Sequence, residues 1–144
     1  MPLGEEFWGE NFNSVTSEDN LDYNVVSFKN FTYNPARINV GSIGINMSKV
    51  PVAVSKAYPV FEVYNKEWIP EYLFIAIRYN EDLKQEIKAR CYGTVRQSLS
   101  YDDFKEISIP IVPKNKQEEI VKDYLEKYEK YKYIKNELDT YNNI

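Results

Sequence analysis

GTVRQSL at residues 93–99, FKEISIPIVP at 104–113 and QEEIV at 117–121 form the stretch that decides the fold of this chain. Gly93 permits the positive φ of a tight turn. Ser100 is placed to cap a one-turn helix with two aspartates in its first turn, where the helix dipole favours carboxylates. The stretch therefore predicts a turn, a short strand and the beginning of a long helix.

The predicted strand covers residues 107–111, where isoleucines alternate with Ser108 and Pro110. A period of two with an internal proline is typical of an edge or terminal strand. Pro113 would end it. Asn115 stands three residues before Glu118, and this spacing predicts a capping box at the beginning of the long helix.

The long helix is predicted over residues 117–141. Its apolar residues recur at alternating spacings of four and three, interrupted only by the polar Lys127, which is the pattern of a helix that packs along another helix. These residues are Ile120, Tyr124, Tyr131, Ile134, Leu138 and Tyr141. A helix of this length projects beyond a small domain, so the stripe formed by these apolar residues is expected to pack against a partner. The alternative is that the helix folds back and caps its own domain.

Upstream, the sequence predicts a small, mostly antiparallel β unit with short helices, which makes the fold class mixed α/β. Strands are expected at 23–29, 31–33, 50–55 and 58–64, with reversals at 34–35 and 41–46. Pro70 is expected to open a nearly apolar core helix, and Asn80 a second, amphipathic one.

The first 22 residues contain six acidic residues and no basic one. We interpret them as an acidic arm in which Phe7, Trp8 and Phe12 are the side chains expected to pack on the core. The predicted organisation is an arm at 1–22, a domain at 23–113 and a helix at 114–144.

Composition excludes several kinds of chemistry. The chain has no histidine and one cysteine, Cys91, so a zinc site, a histidine-based triad and an internal disulfide are not expected. Glycines 41 and 44 lack the spacing and the lysine of a phosphate-binding loop. No apolar run predicts a membrane span, and no signal peptide is recognisable. We expect a cytoplasmic protein without a cofactor that is not an enzyme.

Charge is distributed unevenly along the chain. The net charge is −4, yet residues 23–61 contain no aspartate or glutamate and carry Lys29, Arg37, Lys49 and Lys56. A surface with positive charge only suits the phosphates of nucleic acid. Depletion of acidic residues in strands explains the same pattern equally well.

Three blocks of the sequence resemble Type I restriction–modification specificity subunits. They are FTYNPARINVGSIG (31–44) with VSKAYPVF (54–61), IPEYL (69–73), and the stretch at 93–121, in the order typical of one target-recognition domain. Relative to that family the segment before Tyr23 is short, so part of the usual recognition surface is expected to be missing or rearranged.

The resemblance implies a target-recognition domain followed by a spacer helix. In this family each domain recognises one half of a split DNA site, and the helices pair antiparallel and dock the methyltransferase subunits. Catalysis lies on the modification and restriction subunits. A single-domain version would have to pair with a second copy or with another half-subunit.

Within that interpretation, Arg37 is the leading base-reading candidate, because arginine binds guanine O6 and N7 with two hydrogen bonds. Asparagine and glutamine pair with adenine, and lysine and serine suit phosphate contacts. The predicted DNA-binding residues are Tyr33, Asn34, Arg37, Asn39, Ser42, Lys49, Ser55, Lys56, Arg96 and Gln97.

Two alternatives remain open. The aromatic residues Tyr33, Tyr58 and Phe61 are more often core residues, and Arg37 or Arg96 could pair with a carboxylate such as Asp102. For the whole chain, the alternative is an assembly module or a truncated remnant that does not bind DNA on its own.

Overall fold

The computed structural model describes residues 5–8, 23–91 and 98–142, with the side chains of Glu5, Tyr141 and Asn142 outside the description. Within these ranges, five strands precede four helices. The strands are β1 (Tyr23–Val26), β2 (Phe31–Tyr33), β3 (Ile43–Ile45), β4 (Val52–Ser55) and β5 (Val60–Phe61). The helices are α1 (Pro70–Tyr79), α2 (Glu81–Cys91), α3 (Tyr101–Phe104) and α4 (Lys114–Asn142), with 3₁₀ turns at Glu5–Phe7 and Ile38–Val40.

The described strands form two antiparallel sheets. One has three strands in the order β3-β2-β5, and the other is the two-stranded ribbon β1-β4. In the ribbon Tyr23 lies opposite Ser55, and Val25 lies opposite Ala53. The expected mixed α/β class, with antiparallel strands followed by a long C-terminal helix, is confirmed.

The core lies between the three-stranded sheet and the helices. Helix α1 is apolar on nearly all sides, and six of its ten residues are buried. It packs on β3, α2 and α4. On the sheet, Phe31, Tyr33 and Ile43 are fully buried. Phe104 of α3 stacks on Tyr33, with ring centroids 4.7 Å apart.

Three predicted helix beginnings are confirmed. Pro70 is the first residue of α1. The Asn80 side chain accepts a hydrogen bond from Leu83 N at 3.1 Å at the beginning of α2. Ser100 Oγ accepts one from Asp103 N at 3.2 Å, and α3 follows. Local capping therefore fixes these boundaries.

The predicted reversal at 41–46 is wrong in part. Gly41, with φ of 88°, does turn the chain, but residues 43–45 form strand β3. Gly44 lies inside that strand, where an added Cβ would come within 2.8 Å of the Trp8 carbonyl oxygen. This glycine therefore serves close contact with the N-terminal segment rather than a turn.

The N-terminal aromatic residues pack as expected where the structure describes them. Phe7 is buried against Phe74 and Tyr124, with ring centroids 5.6 and 5.7 Å away. Trp8 packs on the inner face of the β1-β4 ribbon. Phe12 lies outside the described residues.

Two predictions for the decisive stretch are wrong. Residues 107–111 form no strand with any described partner, although Ile107 and Ile109 are half-buried and Ser108 and Pro110 are exposed. Alternation marks the buried side of an extended segment, but a strand also needs a neighbour to hydrogen-bond with. The turn predicted at Gly93 lies outside the described residues.

The predicted capping box is the second error, because α4 begins at Lys114 and Asn115 is already inside the helix. The polar residue that anchors the N-terminal end of α4 is Gln117, which is fully buried. Its Nε2 donates to the carbonyls of Glu67 (2.9 Å) and Val112 (2.8 Å). Its Oε1 accepts from Ile69 N at 2.8 Å, so one side chain ties α4 to the beginning of α1.

Helix α4 has 29 residues and is about 43 Å long. Its first turns pack on the core through Ile120, Val121 and Tyr124. Among the described helices, none combines the length and apolar character needed to cross a bilayer.

Candidate nucleic-acid interface

The basic block at 23–61 folds into the β1-β4 ribbon, the three-stranded sheet and their connections. Asn46, which is buried, joins the two turns at one end of the ribbon. Its Nδ2 donates to the carbonyls of Val26 and Val50, both at 2.9 Å. Lys29 adopts a positive φ of 66° in one of these turns, and Lys49 is exposed in the other. Both cations are therefore held at the same end of the ribbon.

Lys56 lies at the opposite end, directly after β4. Here Asn24 Nδ2 donates to the carbonyls of Lys56 (3.3 Å) and Tyr58 (2.8 Å). The Ser55 hydroxyl accepts from Ala57 N at 3.2 Å, which shapes the turn that presents Lys56 to solvent. Cations thus flank the ribbon at both ends.

Arg37 lies on a rigid turn between β2 and the second 3₁₀ turn. Its N–H donates to the Asn34 carbonyl at 3.0 Å. Two hydrogen bonds from other parts of the chain hold this turn. Leu99 N donates to the Pro35 carbonyl (3.0 Å), and Arg78 Nη1 donates to the Gly41 carbonyl (3.0 Å). The Arg37 side chain is exposed and has no ion-pair partner among the described residues.

The open alternative of an Arg37 salt bridge is therefore not observed in the described part of the chain. Asp102, the acid considered for it, pairs with Lys105 at 3.2 Å. An exposed guanidinium without a carboxylate partner keeps all its donors available for a ligand.

Two predicted contact residues are buried, and this corrects their assignment. Tyr33 is 0% exposed, its hydroxyl donates to the Leu99 carbonyl at 3.0 Å, and burial raises its pKa well above the ordinary value. Ser42 is 1% exposed. In this structure neither side chain reaches the surface, because Tyr33 belongs to the sheet in the core and Ser42 directly precedes strand β3 of that sheet. Phe61 also belongs to this core, stacked on Phe31 at 5.0 Å.

The other predicted residues differ in how free their side chains are. Asn34 is engaged on both sides, accepting from Ala36 N and donating to the Tyr58 hydroxyl, each at 3.0 Å. Asn39 is half-buried on the 3₁₀ turn after Arg37. Arg96 and Gln97 lie outside the described residues.

The family comparison adds to this geometry. The family model of the Type I restriction modification DNA specificity domain matches residues 8–144, nearly the whole chain. The chain belongs to this specificity-domain family. No curated protein matches it closely enough to be named as a relative. The resemblance drawn from the three sequence blocks is thereby confirmed.

In this specificity domain the stripe of the long helix divides into two parts. Ile120 and Tyr124 pack against the core, and the Tyr124 hydroxyl donates to the Glu6 carbonyl. Further along, Tyr131, Ile134 and Leu138 are exposed, the last two at 56%. The side chain of Tyr141 lies outside the description. The fold-back alternative therefore holds for the first turns of α4 and not for the exposed remainder.

The specificity domain offers little for metal or thiol chemistry where it is described. Among those residues, no three His, Cys, Asp or Glu side chains gather as metal ligands would. Cys91 is buried on α2, and burial raises the pKa of its thiol, which keeps it in the unreactive neutral form.

Sequence reasoning missed the outward face of the ribbon. Tyr23, Val25, Phe28 and Val50 are all exposed there or in the adjoining turns. The alternation of exposed and buried residues in β1 was the available signal, but only the pairing with β4 shows which residues share a face.

Proposed function

We propose that this chain recognises duplex DNA as a half specificity subunit of a Type I restriction–modification system. It would direct methyltransferase and endonuclease subunits to one half of a split site. The observation that carries the proposal is the family match over residues 8–144, joined to a basic surface in the middle of the matched region.

Electrostatics support DNA contact in spite of the net charge of −4. At physiological ionic strength the Debye length is about 8 Å, so a phosphate responds to nearby charges and not to the sum over the molecule. The ribbon and its turns contain lysines and no carboxylate, whereas the acidic residues belong to other parts of the sequence.

The second part of the proposal concerns assembly. The exposed residues Tyr131, Ile134 and Leu138 would bury themselves against the helix of a second copy or of another half-subunit. Two domains joined by paired helices would address two half-sites. In this proposal the chain acts in the cytoplasm, needs no cofactor and performs no catalysis, which belongs to its partner subunits.

The test is the mass in solution by light scattering, alone and with random-sequence duplex DNA at low and moderate salt. We expect a dimer whose DNA affinity falls steeply with salt, since each phosphate contact contributes about −0.9 to the slope of log affinity against log salt. A monomer without measurable DNA affinity at low salt would refute the proposal.

A second candidate, an assembly module without useful DNA affinity, draws on a specific observation. Two of the predicted contact residues, Tyr33 and Ser42, are buried, and the Asn34 amide is occupied. A dimer that shows no DNA binding at low salt would favour this candidate.

A further inference from the structure

The β1-β4 ribbon presents one face to solvent. Residues directly opposite each other in an antiparallel pair point to the same side, so Tyr23 and Ser55 share a face with Val25 and Ala53. The other face carries Val26 and Val54, both 0% exposed. Val25 is 53% exposed and Tyr23 is 42% exposed, whereas Ala53 and Ser55 are half-buried, so the outward face is most open along β1.

The ribbon has the dimensions of an element that fits a DNA groove. Among the described strands, β1 and β4 pair only with each other, so the element is two strands wide. Neighbouring strands lie about 4.8 Å apart, and four residues span about 10 Å. The major groove is about 12 Å wide and admits a two-stranded ribbon.

The charges around this face fit the walls of that groove. Lys29 and Lys49 lie in the turns at one end of the ribbon, and Lys56 follows its other end. No carboxylate occurs at any position from 23 to 61. The apolar face, with Lys29 and Lys49 in the turns at one end, is complementary to base edges bordered by phosphates.

From these observations we infer that the outward face of the β1-β4 ribbon enters the major groove, where Tyr23, Val25, Ala53 and Ser55 contact base edges. The inference rests on the proposed function and names the surface that performs it. Val25 and Ala53 suit the thymine methyl group. The Ser55 hydroxyl, which accepts from Ala57 N, retains its O–H as a donor to a base acceptor.

The test is the double substitution Val25→Glu with Ala53→Glu, compared with wild type and with the control Ile111→Glu. Ile111 is 79% exposed on the segment before α4, outside the ribbon. Binding is measured on random-sequence duplex at low salt and on duplexes selected from a random pool. We expect the ribbon variant to lose at least about tenfold in affinity for the selected duplexes, because two carboxylates would face base edges and phosphates. The control should bind as wild type does.

The outcomes separate this inference from the proposed function. If wild type binds DNA and the ribbon variant binds it with equal affinity, the ribbon assignment is overturned and DNA recognition by the chain still stands. Wild type that does not bind would overturn both. A ribbon variant that loses self-association while keeping its DNA affinity would make this face an interface between copies, and would equally overturn the inference.

Val25→Lys provides a second readout if the double variant fails to fold, which circular dichroism would reveal. The added cation should raise affinity for random duplex while changing the sequence recovered by selection, because lysine does not pack on a base as valine does. Thymine-to-uracil replacement in the selected duplex removes the methyl group, and it should weaken wild type more than this variant. An unchanged selected sequence together with equal sensitivity to uracil would overturn the inference.

Discussion

The surroundings of Arg37 are what make this residue a candidate for contact with DNA. The backbone around it is fixed by Asn34, by the Pro35–Leu99 hydrogen bond and by Arg78, while its side chain extends into solvent. The two arginines differ, because the Arg78 side chain donates to the Gly41 carbonyl and the Arg37 side chain donates to none of the residues that the structure describes. Holding the backbone in advance reduces the entropy lost on binding.

Arg37→Glu should therefore reduce DNA affinity by at least about tenfold, because a guanidinium is replaced by a carboxylate near phosphates. The free energy of unfolding should change by less than about 0.5 kcal/mol, as is usual for exposed positions. Lys66→Glu makes a similar charge reversal on an exposed loop outside the basic block and serves as the control. Unchanged affinity in Arg37→Glu would remove this residue from the site.

Gln117 represents the opposite case, a polar residue that is wholly structural. Gln117→Ala would leave Ile69 N and the carbonyls of Glu67 and Val112 without their partner. We expect a loss of about 2–4 kcal/mol in the free energy of unfolding, measured by urea denaturation. Glu118→Ala, at the exposed neighbouring position, should change it little. A loss below about 1 kcal/mol for Gln117→Ala would show that water replaces these bonds readily.

At the scale of elements, the β1-β4 ribbon and the outer part of α4 present two different kinds of surface. The ribbon carries lysines beside an open apolar face, and the outer part of α4 carries an apolar stripe among mixed charges such as the Lys127–Asp123 pair at 2.8 Å. Hydrogen bonding to Asp123 raises the pKa of Lys127, but both side chains are largely exposed and belong to the same helix. In the proposed assembly, specificity for the partner of this helix would therefore come from its apolar residues.

Placing aspartates at Ile134 and Leu138 should break self-association, since two charges would have to be buried in the interface. The dimer dissociation constant should rise by at least about 100-fold, measured by light scattering over a concentration series. Asn136→Asp with Thr140→Asp adds the same charge on the opposite face of the helix and should leave the dimer intact. A dimer that survives the first pair of changes would show that this stripe is not the interface.

For the ribbon, Lys49→Gln with Lys56→Gln should reduce the salt slope of DNA binding by about 2, roughly one for each lysine that neutralises a phosphate. Affinity should weaken to a similar extent for every duplex sequence, because phosphates carry no sequence information. Lys66→Gln with Lys88→Gln removes two exposed lysines outside the basic block. An equal slope change in that control would indicate a general charge effect rather than phosphate binding at the ribbon.

At the scale of the whole molecule, the N-terminal segment joins parts that are distant in sequence. Phe7 contacts Phe74 of α1 and Tyr124 of α4, and Trp8 covers Gly44 and the inner face of the ribbon. The two sheets and the long helix are thus connected through a few residues near the beginning of the chain.

Phe7→Ala should consequently lower the free energy of unfolding by about 3–5 kcal/mol, the range for a large aromatic core residue. The melting temperature should fall by roughly 10 °C for a domain of this size. Ile111→Ala, at an exposed position, provides the control and should change it little. A stability close to wild type in Phe7→Ala would show that this segment contributes little to the core.

Much of the fold could be predicted because its signals are local. Pro70, Asn80 and Ser100 act on the residues directly after them, and the periodicity of α4 is a property of one helix. Strand β3 was missed because Gly44 is required by close approach to Trp8, 36 positions earlier, and such an approach leaves no local pattern. The strand predicted at 107–111 failed for the related reason that alternation says nothing about the presence of a partner.

The site was less predictable than the fold. Arg37, Lys49 and Lys56 are exposed as expected, because long charged side chains reach solvent from most positions. Ser42 and Tyr33 are small or amphipathic enough to be buried, and only tertiary packing, such as that of Phe104 on Tyr33, decides their exposure. The outward ribbon face depended on the register between two strands, as in the pair Val25–Ala53.

In the proposed assembly, the hydrogen bonds of Gln117 determine how far helix α4 can tilt relative to the core. Beyond Tyr124, where ring contacts still tie α4 to the core, 18 further residues extend the helix by about 27 Å. A tilt of about 7° with its pivot at Tyr124 would move the far end by about 3.3 Å, close to the 3.4 Å between successive base pairs. The three hydrogen bonds of Gln117 act close to the pivot, whereas the end of the helix lies far from it. In the proposed assembly, the stiffness of these bonds therefore limits how precisely the helix sets the distance between two half-sites.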